Sequence, residues 1–240
     1  MNSNVTRLAA GARLRAVHRL TGEAGFFEGL ELAERMLHGG EVRAIVVVAA
    51  DSFVTPAYLA EHQRLAACPW DADLPRPSEG AAAVLLTTPD FARRQGIEEL
   101  ATIRYAATRP GEASDENDAP VDGADMAALL RGLPSASRPV GASFGPHGGG
   151  ALREREWNLA AARSVAALDP SCACLALENA VGALGAAAGA ANFVYGLAVH
   201  RYAAWPIEYG PRVDAPFIAW GISRNGIRGI AAATRSGWAT

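Results

Sequence analysis

Apolar residues recur at three- and four-residue intervals near the start of the chain, at Phe26, Phe27, Leu30, Ala33, Met36 and Leu37. This spacing predicts an amphipathic helix over 26–37 that ends at the Gly39-Gly40 pair. The run Ala44-Ile-Val-Val-Val-Ala49 follows, and its continuous apolar character predicts a strand buried on both faces. A helix followed closely by a buried strand is typical of an α/β protein.

Helices and strands are predicted to alternate along the rest of the chain. The predicted strands are 81–86, 101–106, 138–144, 172–177, 211–219 and 229–233, and the predicted helices are 91–95, 126–130 and 151–167. The stretch 109–125 is rich in Pro, Gly, Asp and Glu and has almost no large apolar side chain, so we expect a solvated loop or a boundary there.

An uncharged run covers 180–199 and is long enough to span a membrane. Gly185 and Gly189 in it even form a small-xxx-small pair. The run is mostly Ala and Gly, however, and contains Asn192, so it carries far less apolar surface than a Leu/Ile/Val-rich span. We therefore expect a buried helix of a soluble protein and no membrane span.

Composition and charge narrow the class of protein. The chain has 240 residues, of which 50% are hydrophobic and 20% are charged, and its net charge is −3. This length and hydrophobic content are enough for a sizeable core in one or two closely packed domains. A mild negative charge without a basic run favours neither nucleic acid nor an anionic membrane as a partner. Residues 1–15 lack the apolar core of a secretory signal, so a cytoplasmic location is predicted.

No metal or cofactor is predicted. Cys68, Cys172 and Cys174 are too few and too irregular for a disulfide framework, and Cys172-x-Cys174 lacks the second half of a zinc motif. All three cysteines are expected to serve packing. The glycine-rich segment 145–150 lacks the lysine of a phosphate-binding loop, and the acidic run 115–118 is expected to be solvated.

The segment Glu178-Asn-Ala-Val-Gly-Ala-Leu-Gly-Ala-Ala-Ala-Gly189 resembles the Lys-x-x-x-Gly-His-Thr-x-Gly-Ala-Ala-Gly element of β-ketoacyl synthases, which belong to the thiolase-like superfamily. Further segments resemble that family in the same order, namely 26–52, 69–82, 143–156 and 220–226. The resemblance therefore spans most of the chain. It implies an α/β fold of layered α-β-α-β-α architecture.

The residues of the synthase active site are changed in this chain. By the resemblance, the family's lysine falls on Glu178, its second histidine on Ala183 and its nucleophilic cysteine on about Glu23. The first histidine falls on Gly145 in an ungapped alignment, and a two-residue shift of the loop would bring His147 there. The scaffold thus resembles a synthase while its catalytic residues do not, and Glu23 and His147 are weak catalytic candidates.

The length of this chain before the nucleophile helix also differs from that of family members. Family members begin with roughly three strands and their helices before the nucleophile helix, whereas this chain begins about 20 residues before it. We expect a remnant of the first half-fold in 1–108, a boundary in 109–125 and the second half-fold in 126–240. Because unpaired strand edges invite association, a homodimer or a heterodimer with another subunit is expected.

Three functions remain open at this point. The first is a catalytically degenerate synthase-like protein that acts as a structural or partner subunit, beside a synthase-like or another protein. The second is an acyltransferase or decarboxylase acting on acyl-CoA or acyl carrier protein thioesters, since Glu23 is close in shape to the glutamine that replaces the cysteine in some decarboxylating family members. The third is a non-catalytic module that binds acyl thioesters.

Overall fold

The computed structural model describes residues 20, 22–66, 76–112, 119–147, 151–206 and 215–235. In chain order these residues form α1 (Gly25–His38), β1 (Ala44–Ser52), α2 (Pro56–Ala66), β2 (Glu79–Thr87), α3 (Pro89–Gln95), β3 (Ala101–Pro110), α4 (Ala124–Gly132), β4 (Val140–Phe144), α5 (Ala151–Arg163), β5 (Leu168–Leu175), α6 (Glu178–Val181), α7 (Ala188–Tyr202), β6 (Phe217–Ile222) and β7 (Ile227–Arg235). The predicted alternation of helices and strands is confirmed. Cys68 and the acidic run 115–118 lie outside the described residues.

The strands form two sheets. β1 and β2 make an antiparallel pair, in which Val46 lies opposite Leu85 and Val48 opposite Ala83. The other five strands have the order β3-β7-β6-β4-β5, with β4 parallel to β5 and β6, and β7 antiparallel to β3 and β6. Because β3 pairs with β7, residues from both sides of 109–125 lie in one sheet. The division into 1–108, 109–125 and 126–240 stays a prediction.

Helices α1 and α7 lie between the two sheets. α1 contacts β1 on one side and β3 and β7 on the other, and α7 contacts β1, β2, β4, β6 and β7. Their aromatic side chains, including Phe27 and Phe193, build the core of this layer together with Phe217 of β6. On the far face of the five-stranded sheet, α4 and α5 form a second core around Trp157 and Trp220. The layered α/β architecture is therefore confirmed.

β1 corrects the prediction of a strand buried on both faces. Exposure alternates along the strand, and the side chains of Val46 and Val48 are 60% and 63% exposed. Val47 and Ala49 point the other way and pack against the core. The prediction of a strand is therefore confirmed and the prediction of burial on both faces is wrong, because the helices of the described part of the chain cover only its inner face.

The uncharged run is not one helix. α6 ends at Val181, and the chain turns at Gly182 with a φ of 93°. α7 begins at Ala188 after a short 3-10 turn over Gly185–Ala187. A Cβ at Gly182 would lie 2.6 Å from the carbonyl oxygen of Arg76, so the turn requires glycine. The prediction of a buried helix is confirmed for α7. Among the described residues, no helix is long and apolar enough to cross a membrane.

Candidate functional site

The turn before α1 holds Glu23, the residue that the resemblance places at the nucleophile position. The backbone N–H of Ala24 donates to Ser223 Oγ at 2.8 Å, which ties this turn to the loop after β6. From the other side, a Cβ on Gly189 of α7 would lie 2.6 Å from the carbonyl oxygen of Glu23. Three distant segments thus converge on this turn, and we call the place the Glu23 corner. The convergence explains why α7 carries glycine there.

The Glu23 side chain is held by Arg153 of α5. Arg153 Nη2 lies 2.8 Å from Glu23 Oε1 and Arg153 Nε lies 3.2 Å from Oε2, and both side chains are 15% exposed. Two parallel hydrogen bonds between guanidinium and carboxylate make a strong, directional ion pair. The amino-terminal end of a helix also favours a negative charge. The position therefore holds a fixed anion and no nucleophilic thiol.

Glu178 interacts with the same arginine. Burial raises the pKa of the Glu178 carboxyl, while a hydrogen bond from the Leu184 N–H, at 3.1 Å, and the charge of Arg153 act in the opposite direction. Arg153 is thus paired with Glu23 and acts on Glu178 through its charge, although the two glutamates are 155 positions apart in the sequence. The structure brings together the positions that the resemblance assigns to the cysteine and the lysine.

Ala183 lies beside this cluster and is 7% exposed. Its N–H donates to the carbonyl oxygen of Arg76 at 2.8 Å, and its neighbour Leu184 donates to Glu178. Two residues further on, the N–H of Ala186 donates to Asp51 Oδ2 at 2.9 Å. A methyl group at Ala183 supplies neither an acid nor a base. The N–H groups of Leu184 and Ala186, which follow Ala183, are bound by carboxylates of the chain itself.

His147 lies in a different environment. Trp220 Nε1 donates to Ser143 Oγ at 3.1 Å and to His147 Nε2 at 3.3 Å. The His147 ring stands edge-on to Trp157 and Trp220, with centroids 5.1 Å away in each case, and the two indoles stack at 4.9 Å. Burial lowers the pKa of His147 to about 4. The ring is therefore neutral near pH 7. It lies in the layer that α4 and α5 form on the five-stranded sheet, which we call the α5 layer, and its described contacts include neither Glu23 nor Glu178.

The described residues at the Glu23 corner offer little for acyl transfer. Such chemistry needs a nucleophile and hydrogen-bond donors aimed at the developing oxyanion. Cys172 and Cys174 lie on β5 and not at this corner. Among the described residues, no group of three or more His, Cys, Asp and Glu side chains could hold a metal ion. The arrangement is a charge cluster of two carboxylates and one guanidinium.

Sequence reasoning missed Arg153 and Asp51, which decide how the corner is filled. Arg153 is one of many charged residues on α5, and its partner Glu23 is 130 positions away. Asp51 is the second-last residue of β1, and its place after the apolar run 44–49 indicates a strand-end residue only. Neither carried a sequence signal for its contact. The prediction that the cysteines serve packing is wrong for Cys174, which is exposed.

A separate cavity of about 650 Å³ lies at the other end of α1 and α7. Its walls come from α1, β2, β3 and α7 and are mostly apolar, with Leu30, Leu37, Leu86, Phe193 and Leu197 among the lining side chains. This volume is in the range of small-molecule sites in proteins. Because Leu37 and His38 lie at the carboxyl-terminal end of α1 while Glu23 precedes the helix, the cavity and the Glu23 corner are distinct places.

The sequence matches no protein-family model and no curated protein. Solved structures do match. A type II PKS acyl-carrier protein in complex with its ketosynthase has a TM-score of 0.73 at 15% identity, covering 92% of this chain and 63% of that one. An oxazolomycin ketosynthase domain of Streptomyces albus JA3453 has a TM-score of 0.72 at 16% identity, and the match covers 94% of this chain and 47% of that one. The ishigamide ketosynthase/chain length factor has a TM-score of 0.64 at 20% identity, and the match covers 90% of this chain and 56% of that one.

These matches establish the class of fold. The chain has the thiolase-like fold of ketosynthases, as the resemblance of its motifs implied. It spans about half to two thirds of the length of these neighbours. Identities of 15 to 20% establish the fold and not the chemistry, since function depends on the residues of the site.

Proposed function

We propose that this chain is a non-catalytic, ketosynthase-like protein that acts by binding another protein subunit. The observation that carries the proposal is the ion pair between Glu23 and Arg153 at the nucleophile position. With Ala183 in place of a histidine and Glu178 in place of a lysine, the residues that would polarise a thioester carbonyl are replaced as well. A cytoplasmic location remains part of this proposal.

The outer face of β1 and β2 supports a protein partner. The exposed residues of this face are all apolar over its central part, namely Ala44, Val46, Val48, Ala50, Ala81, Ala83 and Leu85. Contiguous exposed apolar surface marks interaction sites. Two of the structural neighbours are assemblies, one of a ketosynthase with an acyl-carrier protein and one of a ketosynthase/chain length factor. A synthase-like subunit, a second copy or an acyl carrier protein is accordingly the proposed partner.

The proposal is tested by incubating the purified protein with acetyl-, malonyl- and long-chain acyl-CoA. Intact mass, released CoA and released carbon dioxide are measured together. We expect no adduct and no release from the wild type, and none from Glu23→Gln as a control for a glutamine-type decarboxylase. Sustained release or a stable acyl adduct in the wild type would contradict the non-catalytic function and favour the acyltransferase or decarboxylase alternative.

A gain-of-function variant sharpens this test. Glu23→Cys, Glu178→Lys and Ala183→His together place the family's residue types at the three positions. If the corner kept synthase geometry and lost activity only through these residues, the triple variant should form an acyl adduct at residue 23. Circular dichroism checks that it folds. Absence of the adduct in a folded sample would indicate that the corner itself is closed.

The apolar cavity favours a second candidate, a module that binds acyl thioesters without turnover. Binding to the folded state alone would raise the free energy of unfolding, and with it the melting temperature, by an amount that grows with the logarithm of the ligand concentration over Kd. Long-chain acyl-CoA should then stabilise the wild type, and Leu197→Trp, which reduces the cavity volume, should abolish the shift. An equal shift in both proteins would place the ligand elsewhere.

A further inference from the structure

β5 is an edge strand of the five-stranded sheet and carries two cysteines two positions apart, Cys172 and Cys174. Ala173 and Leu175 point into the core and are 0% and 8% exposed. Cys172 and Cys174 alternate with them and therefore share the opposite face of the strand. Cys172 is half-buried and Cys174 is exposed. The alternation thus places both sulfur atoms on one face, within reach of solvent.

The two thiols interact with each other and with an indole. A hydrogen bond with Cys172 lowers the pKa of the Cys174 thiol, partial burial opposes the change, and the Trp157 side chain contributes a further hydrogen bond in the lowering direction. Cys174 Sγ also lies 3.9 Å from the carbonyl oxygen of Cys172. Trp157 itself belongs to the α5 layer. The pair is thus a dithiol on one face of β5, beside a fluorescent side chain.

The geometry disfavours the common uses of a cysteine pair. Structural zinc needs four ligands, and no group of three or more potential ligands exists among the described residues. Residues two apart on a strand have Cα atoms about 6.6 Å apart, which is near the upper limit for an unstrained disulfide. Two thiolates suffice for a soft cation of low coordination number, and soft thiolate ligands select Cu(I).

We propose that Cys172 and Cys174 form a two-thiolate binding site for one soft monovalent cation, Cu(I). Each thiol loses a proton and each sulfur forms one bond to the metal, so Cu⁺ and two thiols give an anionic bis-thiolate complex and two protons. No electron is transferred. The site lies on the α5 side of β5 and is independent of the function proposed above.

The test is an anaerobic titration of the reduced, full-length protein with Cu(I) in competition with bicinchoninate. We expect the wild type to remove one Cu(I) per chain from the chelator. Cys172→Ser and Cys174→Ser should each weaken uptake at least tenfold. Cys68→Ser is the matched control and should take up Cu(I) like the wild type.

Trp157 supplies a second readout. Cu(I) bound beside this indole should quench its fluorescence, and Trp157→Phe should lose the quenching while keeping the stoichiometry of one. Phenylarsine oxide tests the dithiol without a variant, because it bridges two neighbouring thiols with release of one water. Treatment of the wild type with this reagent should block Cu(I) uptake.

Several results would overturn the proposal. One is no transfer of Cu(I) from bicinchoninate to the reduced wild type, checked by circular dichroism to be folded. Another is unchanged uptake in the Cys172→Ser/Cys174→Ser double variant or after phenylarsine oxide treatment. Zn²⁺ that displaces Cu(I) from these cysteines at equal concentration would show that the site does not select a soft monovalent cation.

Discussion

The two sheets of this protein are built from similar apolar strands but differ in how they are covered. β4 and β6 of the five-stranded sheet are buried along their whole length, with helices on both faces. β1 has the sequence Ala-Ile-Val-Val-Val-Ala-Ala over its first seven residues, yet only alternate residues are partly buried and the others are exposed. The difference shows that strand composition does not set burial. The layers that pack on each face do.

The difference also divides the molecule by role. The five-stranded sheet can contain buried charge because partners surround it, as in the ion pair between Arg228 of β7 and Glu156 of α5, which are 1% and 2% exposed. The outer face of β1 and β2 adds little to the core, and it presents apolar surface outward. We expect the five-stranded sheet to determine stability and the sheet of β1 and β2 to determine association.

The largest effect is expected for Arg228→Met. This change leaves the Glu156 carboxylate buried without its partner, which lies at 2.9 and 3.1 Å, and should lower the free energy of unfolding by about 3–5 kcal/mol. Urea unfolding followed by circular dichroism measures it. Arg228→Met combined with Glu156→Leu should regain most of the loss. A double variant as unstable as the single one would contradict the assignment of the loss to an unpaired charge.

A matched pair of truncations compares the two sheets directly. Ile218→Ala removes a fully buried side chain from β6 and should cost about 2–5 kcal/mol. Leu85→Ala removes a side chain of similar size that is 49% exposed on β2, and should change stability by no more than about 0.5 kcal/mol. Equal losses would mean that the outer face of β1 and β2 is covered in solution.

Acid should weaken the α5 layer through His147. Its pKa falls from the ordinary 6.5 to about 4 because the ring is buried, so the unfolded chain binds a proton that the folded chain does not. The contribution of this group to the free energy of unfolding is therefore complete above pH 6.5. As the pH falls from 6.5 through 4, that contribution is lost, which lowers the free energy of unfolding by about 3 kcal/mol. His147→Gln should lack this component. The wild-type advantage over the variant should shrink between pH 7 and pH 4, and a constant difference would contradict the mechanism.

The smallest effect on stability is expected for Val48→Lys. The side chain is 63% exposed, so the free energy of unfolding should change by less than about 0.5 kcal/mol. Burial of a valine at an interface is worth about 1.5 kcal/mol, so self-association through this face should weaken about tenfold. Light scattering over a concentration series measures it.

Val165 gives the control for that experiment. It is 74% exposed in the 3-10 turn after α5, away from β1 and β2. Val165→Lys adds the same charge and should leave association unchanged. An equal effect of both substitutions would point to net charge and not to the outer face.

The candidate site shows how far the sequence could be taken. Alignment with the family placed Glu23, Glu178 and Ala183 at active-site positions, and the structure brings them into one corner. The sequence does not predict that Arg153 pairs with Glu23, because no local pattern links an arginine on α5 to a carboxylate 130 residues earlier. His147 was a weak catalytic candidate because histidine is a common acid or base. Its place between Trp157 and Trp220 depends on how α5 packs on the sheet.

The sequence by itself determined the order and type of the elements and the residue types at the Glu23 corner. Spacing of apolar residues gave α1 to within one residue at each end, because helix periodicity depends on neighbours three and four positions away. Only the tertiary structure decided that β1 has one exposed face and that Arg153 of α5 pairs with Glu23. Burial and ion pairing depend on surfaces that distant segments bring together, and local periodicity carries no record of them.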